Sequence, residues 1–169
     1  TSKRKIENQP NYKGFFWNPK LGIIDENCLM GVDAIIHLAG ASISKRWTKS
    51  YKQEIIESRI FSSNLLFKIV KENPNQVKQI ISASGTAIYP NSSSTVYTED
   101  SKTIVDNFLS NVVLKWEESV DKFQSLNIKV CKLRTGVVFS DKGGALLEII
   151  KPIKLGLGSP FGDGKQVQS

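Results

Sequence analysis

The sequence predicts an α/β fold in which parallel strands alternate with crossover helices, and three observations predict it. Three short runs are apolar and rich in β-branched residues: DAIIHLAG at 33–40, VKQIISAS at 77–84 and IKVCKLRTGVVF at 128–139. Helical patterns lie between and after them. Each run also ends in small residues: AGAS after the first, SASG after the second, TG after the third. Strand, helix, strand, helix, strand, helix is the order expected of a parallel sheet whose connections cross over it.

Taken in order, the first run is too continuously apolar for a half-exposed strand and fits one covered on both faces. Residues 48–72 then place Tyr51, Ile55, Ile56, Ile60, Leu66, Ile69 and Val70 broadly on one helical face. Thr48 is suited to cap the start of that helix, and Asn73-Pro74 to stop it. The second run reads as another buried strand. A helix near 105–124 follows, carrying Phe108, Leu109, Val112, Val113, Trp116 and Val120. After the third strand, a third helix follows Gly143-Gly144 over ALLEIIKPIK, ended or kinked by Pro152. The tail GLGSPFGDGKQVQS reads as a loop. In open α/β sheets ligands bind at the carboxyl ends of the strands, where the small-residue stretches fall. Such residues let something approach the backbone closely, whether a ligand or another piece of protein.

At 169 residues the chain is long enough for one domain. Its net charge of +7 is spread among acids, as in KQEIIESR and KWEESVDK, and the tight basic cluster is Lys3-Arg4-Lys5. That pattern is a solvated surface, and no nucleic-acid partner is expected. No apolar run approaches the roughly 20 residues of a membrane span, and TSKRKIENQP is not a secretory leader. A cytoplasmic protein without a membrane partner is expected. Cys28 and Cys131 lack metal-ligand spacing and read as free thiols, so no metal is expected.

HLAG, SAS-x-x-x-x-Y-P and LRTGVV, in that order, resemble the extended short-chain dehydrogenase/reductase superfamily. WNP at 17–19, AGASISKRWT at 39–48, ESRI at 57–60, TED at 98–100, FLS-x-x-x-x-x-WE at 108–117, LRTGVVFS-x-x-GGAL at 133–146 and KLGLGSPFGDGKQ at 154–166 are similar to one atypical subgroup. This is the epimerase-like family often labelled sugar-nucleotide epimerase, whose members bind NADP(H). The resemblance implies a three-layer doubly wound Rossmann-type fold, here incomplete at both ends. The family opens with a strand and a G-x-x-G-x-x-G loop, which is absent here, and TSKRK corresponds to the end of its second strand. Residues 1–153 are then a partial NAD(P)-binding domain, and 154–169 the start of the substrate-side region.

By the same resemblance, Leu38, Ala39 and Gly40 line the cofactor, and Arg59 reaches back toward it. Ser82 and Ala83 flank the nicotinamide ribose, while Arg134, Thr135, Gly136 and Val137 sit by the nicotinamide edge. Lys3 and Arg4 fall at the adenosine ribose, where cations suit a 2′-phosphate, so NADP(H) is expected over NAD(H). Superfamily enzymes use a Tyr-x-x-x-Lys pair, yet none of the four tyrosines has a lysine four residues on. Leu109 and Val113 stand at those positions, and Gly85 at the usual Ser/Thr. Substitute proton carriers are Ser84, Thr86, Tyr89 and Glu99. Tyr89 needs a cation to act as a base, and none is visible nearby in sequence. Glu99 is either a proton acceptor or the cap of a helix near 102–106. His37, inside the first strand, reads as structural. Trp47 either shapes a substrate pocket or anchors the helix start.

Two readings follow. One is an NADP(H)-dependent oxidoreductase or nucleotide-sugar epimerase acting on an unknown small molecule. The other is a non-catalytic dinucleotide-binding or redox-sensing protein. A homodimer through the first two helices, with Phe61, Phe67 and Phe123 as contacts, is implied by superfamily habit.

Overall fold

The computed structural model describes residues 8–160 and Gly164. Lys3 and Arg4 lie outside the described residues. The three apolar runs form one parallel sheet of β1 (Ala34–His37), β2 (Gln79–Gly85) and β3 (Lys129–Thr135), in that spatial order. Register is continuous across it: Ile35 pairs with Ile80 and Ile80 with Val130; His37 pairs with Ser82 and Ser82 with Lys132.

Helix α1 (Lys49–Glu72) starts where the Thr48 side chain accepts from the Tyr51 N–H at 3.2 Å. It stops at Asn73, whose side-chain amide donates to the Ile69 carbonyl at 3.0 Å. Helix α2 (Phe108–Asp121) begins later than its apolar pattern suggests, because the Asn107 side chain caps it by accepting from the Ser110 N–H at 2.9 Å. Residues 101–106 have no helix, so Glu99 is not the cap expected of it. Helix α3 (Ala145–Lys154) keeps Pro152 in its last turn and packs against a two-residue ladder of Phe139–Ser140 with Gly143–Gly144.

Consecutive parallel strands linked in the same sense send both crossover helices to one face. α1 and α2 therefore pack on each other and on Ile35, Ile80 and Val130. Ile80 and Phe123 are fully buried at the centre, with Leu65, Ile69, Trp116 and Val120 around them. Leu29 closes the core from the loop before β1. Because side chains alternate along a strand, Ile36, Leu38 and Leu133 point to the other face, where they are 67%, 70% and 49% exposed. The strands are thus covered on one face rather than both among the described residues. The α/β class and the parallel sheet are as expected, with one helical layer described.

Two of the three expected dimer contacts belong to this core. Phe123 is fully buried, and Phe67 meets its ring edge-on with centroids 5.5 Å apart. Only Phe61 stands outside, 38% exposed. Phe123→Ala should therefore cost about 3–5 kcal/mol in urea denaturation, and Phe61→Ala under about 1 kcal/mol. Comparable losses at both positions would contradict this packing.

Candidate functional site

The turn after β1 is small for a reason internal to the protein. Arg59 of α1 lies beneath it, its Nη1 donating to the carbonyls of Ala41 at 3.2 Å and Ile55 at 2.9 Å. The guanidinium sits over the Trp116 ring, 5.0 Å from its centroid. A Cβ on Gly40 would come within 3.1 Å of Arg59 Cζ. Ser58 fixes the same turn by accepting from the Ala41 N–H at 2.9 Å. Burial lowers the Arg59 pKa, and its buried Nε has no hydrogen-bond partner. On the outer side of the turn, Ala39 and Gly40 line a pocket of about 230 Å³ with Asn18, Pro19, Ser58 and Phe61. Leu38 is not in it.

His37 is the structural imidazole expected. It is 2% exposed, with Nε2 at 2.9 Å from Ser62 Oγ, Nδ1 at 3.4 Å from Ser82 Oγ, and its ring edge-on to Trp116. Burial, helped by the Arg59 charge, holds its pKa down to about 4, so the ring is neutral near pH 7. Ser82 is consequently turned inward: its Oγ contacts His37 and donates to the Ala83 carbonyl at 2.9 Å. Ser82 and Ala83 occupy alternate faces of β2, so only the second faces away from the helices.

The densest polar cluster lies at the ends of β2 and β3. Glu117 of α2 is 6% exposed. Its Oε1 accepts from Ser84 Oγ at 2.5 Å and from Arg134 Nε at 2.8 Å, and its Oε2 from Arg134 Nη2 at 2.8 Å. Lys132 stands 3.7 Å from the same carboxylate and bonds both Asp121 oxygens at 2.8 and 2.9 Å. Burial alone would raise the Glu117 pKa. Hydrogen bonds from Arg134 and Ser84, with the charges of Arg134 and Lys132, outweigh it and lower the pKa below the usual carboxylate value. Arg134 is raised in turn, chiefly by its bond to Glu117.

The free side of Arg134 reaches Tyr89. Its Nη1 donates to the phenol oxygen at 2.6 Å, and the phenol donates to the Thr98 carbonyl at 3.0 Å. Tyr97 stacks on Tyr89, centroids 5.3 Å apart and planes 10° from parallel. This is the cation that sequence reading missed, 45 residues away in the chain. An arginine inside an apolar strand and a glutamate on the apolar face of a helix were the available signals.

A cleft of about 780 Å³ opens here, lined by Thr86, Tyr89, Tyr97, Glu99, Arg134 and Thr135 among others. Tyr89, Glu99 and Arg134 are thus brought together. Ser84 is not: its hydroxyl is committed to Glu117 and 6% exposed, so it is closed off as a proton carrier. Gly136 and Val137 follow β3, and Val137 is 46% exposed. Val113 lies 3.5 Å from where a Gly85 Cβ would stand, and Leu109, one turn earlier on α2, is half-buried. Trp47 anchors its loop through Nε1 to the Ile43 carbonyl at 2.8 Å and meets Phe108 edge-on, yet stays 39% exposed. No group of three or more potential metal-ligating side chains occurs among the described residues.

A parallel sheet with crossover helices and polar groups gathered at its carboxyl edge defines a Rossmann-like α/β domain. The chain belongs to the NAD dependent epimerase/dehydratase family, whose sequence model matches residues 23–166. It is 37% identical over 155 residues to an epimerase family protein of Staphylococcus saprophyticus, covering 88% of this chain and 52% of that protein. Human epimerase family protein SDR39U1 (isoform 2), solved with NADPH, superposes with a TM-score of 0.69 at 34% identity, over 80% of this chain and 47% of that one. The nucleoside-diphosphate sugar epimerase of Corynebacterium glutamicum gives 0.73 at 29% identity, over 96% and 33%. The chain spans about half the length of the curated relatives it matches.

Two predictions follow from the turn and the histidine. Gly40→Val should destabilise the protein by about 1–3 kcal/mol through overpacking, and Arg59→Ala in the same molecule should recover part of that loss. Additive effects would mean that the two residues do not touch. For His37, the unfolded chain takes up a proton below about pH 6.5 but the folded one only near 4. Stability should therefore fall as pH drops through that window, by on the order of 3 kcal/mol. His37→Gln should flatten the profile, while Glu117 contributes only at lower pH. A wild-type urea midpoint unchanged from about pH 7 to about pH 5 would refute the neutral buried ring.

Proposed function

We propose that this polypeptide binds NADP(H) along the carboxyl edge of its sheet and is an epimerase or oxidoreductase acting on a carbonyl or nucleotide-sugar substrate. Tyr89 is its proton-exchanging group. The observation that carries the reading is the 2.6 Å contact between Arg134 Nη1 and the Tyr89 phenol oxygen in an open cleft. A guanidinium there stabilises negative charge on the oxygen as a proton leaves, the part that lysine plays in the Tyr-x-x-x-Lys pair. Glu117 holds Arg134 from behind with two hydrogen bonds, so the guanidinium keeps one orientation. Glu99 is at the cleft wall as a second acceptor for a substrate proton.

The residues present suit the nucleotide end of the cofactor too. Pro19 and Phe61 form apolar walls beside Ala39 and Gly40, with Asn18, Lys20 and Ser58 as polar groups. Glu54 and Glu57 on the same lining suit a ribose hydroxyl rather than a phosphate. When bound, NADP(H) supplies the hydride chemistry. The choice of NADP(H) over NAD(H) is supported by the NADPH of the human relative and by Lys3 and Arg4 in the sequence. A cytoplasmic setting fits the sequence, and no described helix is long and apolar enough to cross a membrane. Two copies pairing through α1 and α2 complete the proposal. The non-catalytic reading has its own support: Leu109 and Val113 are apolar where the usual proton relay stands.

The test is a fluorescence titration of the polypeptide as expressed in its native cell, with NADPH and NADH in parallel. Micromolar binding with NADPH at least about tenfold tighter is expected. Equal affinities would overturn the NADP(H) preference, and no binding of either would overturn the cofactor reading. Tyr89→Phe should then leave NADPH affinity unchanged while lowering turnover across a carbonyl and nucleotide-sugar panel by about 100-fold or more. A wild type that binds NADPH but turns over nothing in the panel would favour the non-catalytic reading.

A further inference from the structure

The proton of the Tyr89 phenol is already engaged by the protein's own chain. A phenol has one proton to give, and here it goes to the Thr98 carbonyl at 3.0 Å. The phenol oxygen accepts in turn from Arg134 Nη1 at 2.6 Å. The same guanidinium nitrogen comes within 3.5 Å of the next carbonyl along, that of Glu99. Tyr97, the residue before Thr98, lays its ring on that of Tyr89 with centroids 5.3 Å apart. Three consecutive residues therefore sit on the phenol–guanidinium pair. While they stay there, no incoming molecule can take the proton.

The three residues belong to a loop built to move as a piece. No helix or strand occurs between the short turn Thr86–Ile88 and the start of α2 at Phe108. Connections that long in a compact domain are usually lids or binding loops. The base is pinned, with the Val105 N–H donating to the Ile88 carbonyl at 2.9 Å. Beyond it the loop bonds to itself. Ser92 Oγ accepts from the Thr95 N–H at 2.8 Å, and Ser101 Oγ from the Thr98 N–H at 2.9 Å. The Ser101 N–H returns to the Thr98 carbonyl at 3.1 Å, which closes a turn at 98–101. Residues 91–96 between these turns are exposed, Val96 by 88%. Among the described residues, 91–104 reach the rest of the protein by hydrogen bond only at Tyr89 and Arg134. A segment held by so few contacts opens without unfolding the domain. Thr98 is exposed and its carbonyl keeps the Ser101 N–H, so lifting it leaves no buried polar group unpaired.

We propose that residues 97–99 form a strap that closes on Tyr89 in the resting protein and must lift before the phenol can pass its proton to another molecule. Arg134 stays in place as the strap lifts, because Glu117 holds it from behind. The proton then leaves the phenol for the incoming group, and the guanidinium faces the oxygen left behind. The inference rests on the reading of Tyr89 as the proton-exchanging group and adds how that group is kept covered.

The experiment is acetylation of the full polypeptide with N-acetylimidazole, with the rate at Tyr89 read by peptide mass spectrometry. Wild type is compared with Ser101→Ala, whose lost hydroxyl bonds Thr98 rather than Tyr89, with Tyr97→Leu, and with Val96→Ala at the exposed tip as a control. Tyr89 should react about tenfold or more faster in each of the first two variants than in wild type, and at the wild-type rate in the control. Equal rates in wild type and both strap variants would overturn the proposal. So would a wild-type Tyr89 that reacts as fast as N-acetyltyrosinamide in the same solution. Urea midpoints of the two strap variants should match wild type, and a rate gain that tracks a lowered midpoint would overturn the strap in favour of global opening. Failure of the proposed function is seen elsewhere, in NADPH binding and in the turnover of Tyr89→Phe, and leaves these rates as they are.

Discussion

The rest of the structure hangs on one buried carboxylate. Glu117 leaves water at 6% exposure, which alone would be costly. It is stabilised because Arg134 meets it with two parallel hydrogen bonds, Ser84 adds a third, and Lys132 stands close behind. These partners come from β2 and β3 while Glu117 comes from α2, so the cluster locks helix to sheet at a single angle. Removing one partner from such a pair typically costs about 3–5 kcal/mol, because a charge is left buried alone. The same constraint decides the chemistry: Ser84 is spent on Glu117, and Arg134 can offer only its outer edge, to Tyr89.

A second cluster does the same beside β1, at the same carboxyl edge of the sheet. Arg59 fills the space beneath the first strand-end turn, stacks on Trp116 and fixes two carbonyls. His37 lies against the same indole. Packing of this kind makes Gly40 a requirement of the protein's own arginine before it is a requirement of any ligand. Gly40 receives Arg59 and also lines a pocket with Ala39.

The arrangement gives the domain a clear division of labour. One face of the sheet is the folding core, filled by α1 and α2 around Phe123 and Ile80. The carboxyl edge carries Tyr89 with Arg134 and the pocket at Ala39. Val113 of α2 lies against the Gly85 backbone at the end of β2. A phenol from the loop after β2 and a cation from β3 meet at this edge.

Local patterning was enough to determine the strands, the span of α1 from Thr48 to Asn73, and the presence of α2 and α3, because hydrophobic period and capping residues act over a few positions. It also placed His37 indoors. It could not say that one sheet face of the described residues would stay open, since a continuous apolar run looks the same with one covered face or two. Nor could it decide between two uses for Ser84, or anticipate that Glu99 would cap no helix. Arg134 and Tyr89 are 45 residues apart, Arg59 and Ala41 18, and Glu117 and Ser84 33. Only the tertiary fold brings such groups within bonding distance, because side-chain pairing across a sheet depends on register and crossover, which short-range sequence does not encode.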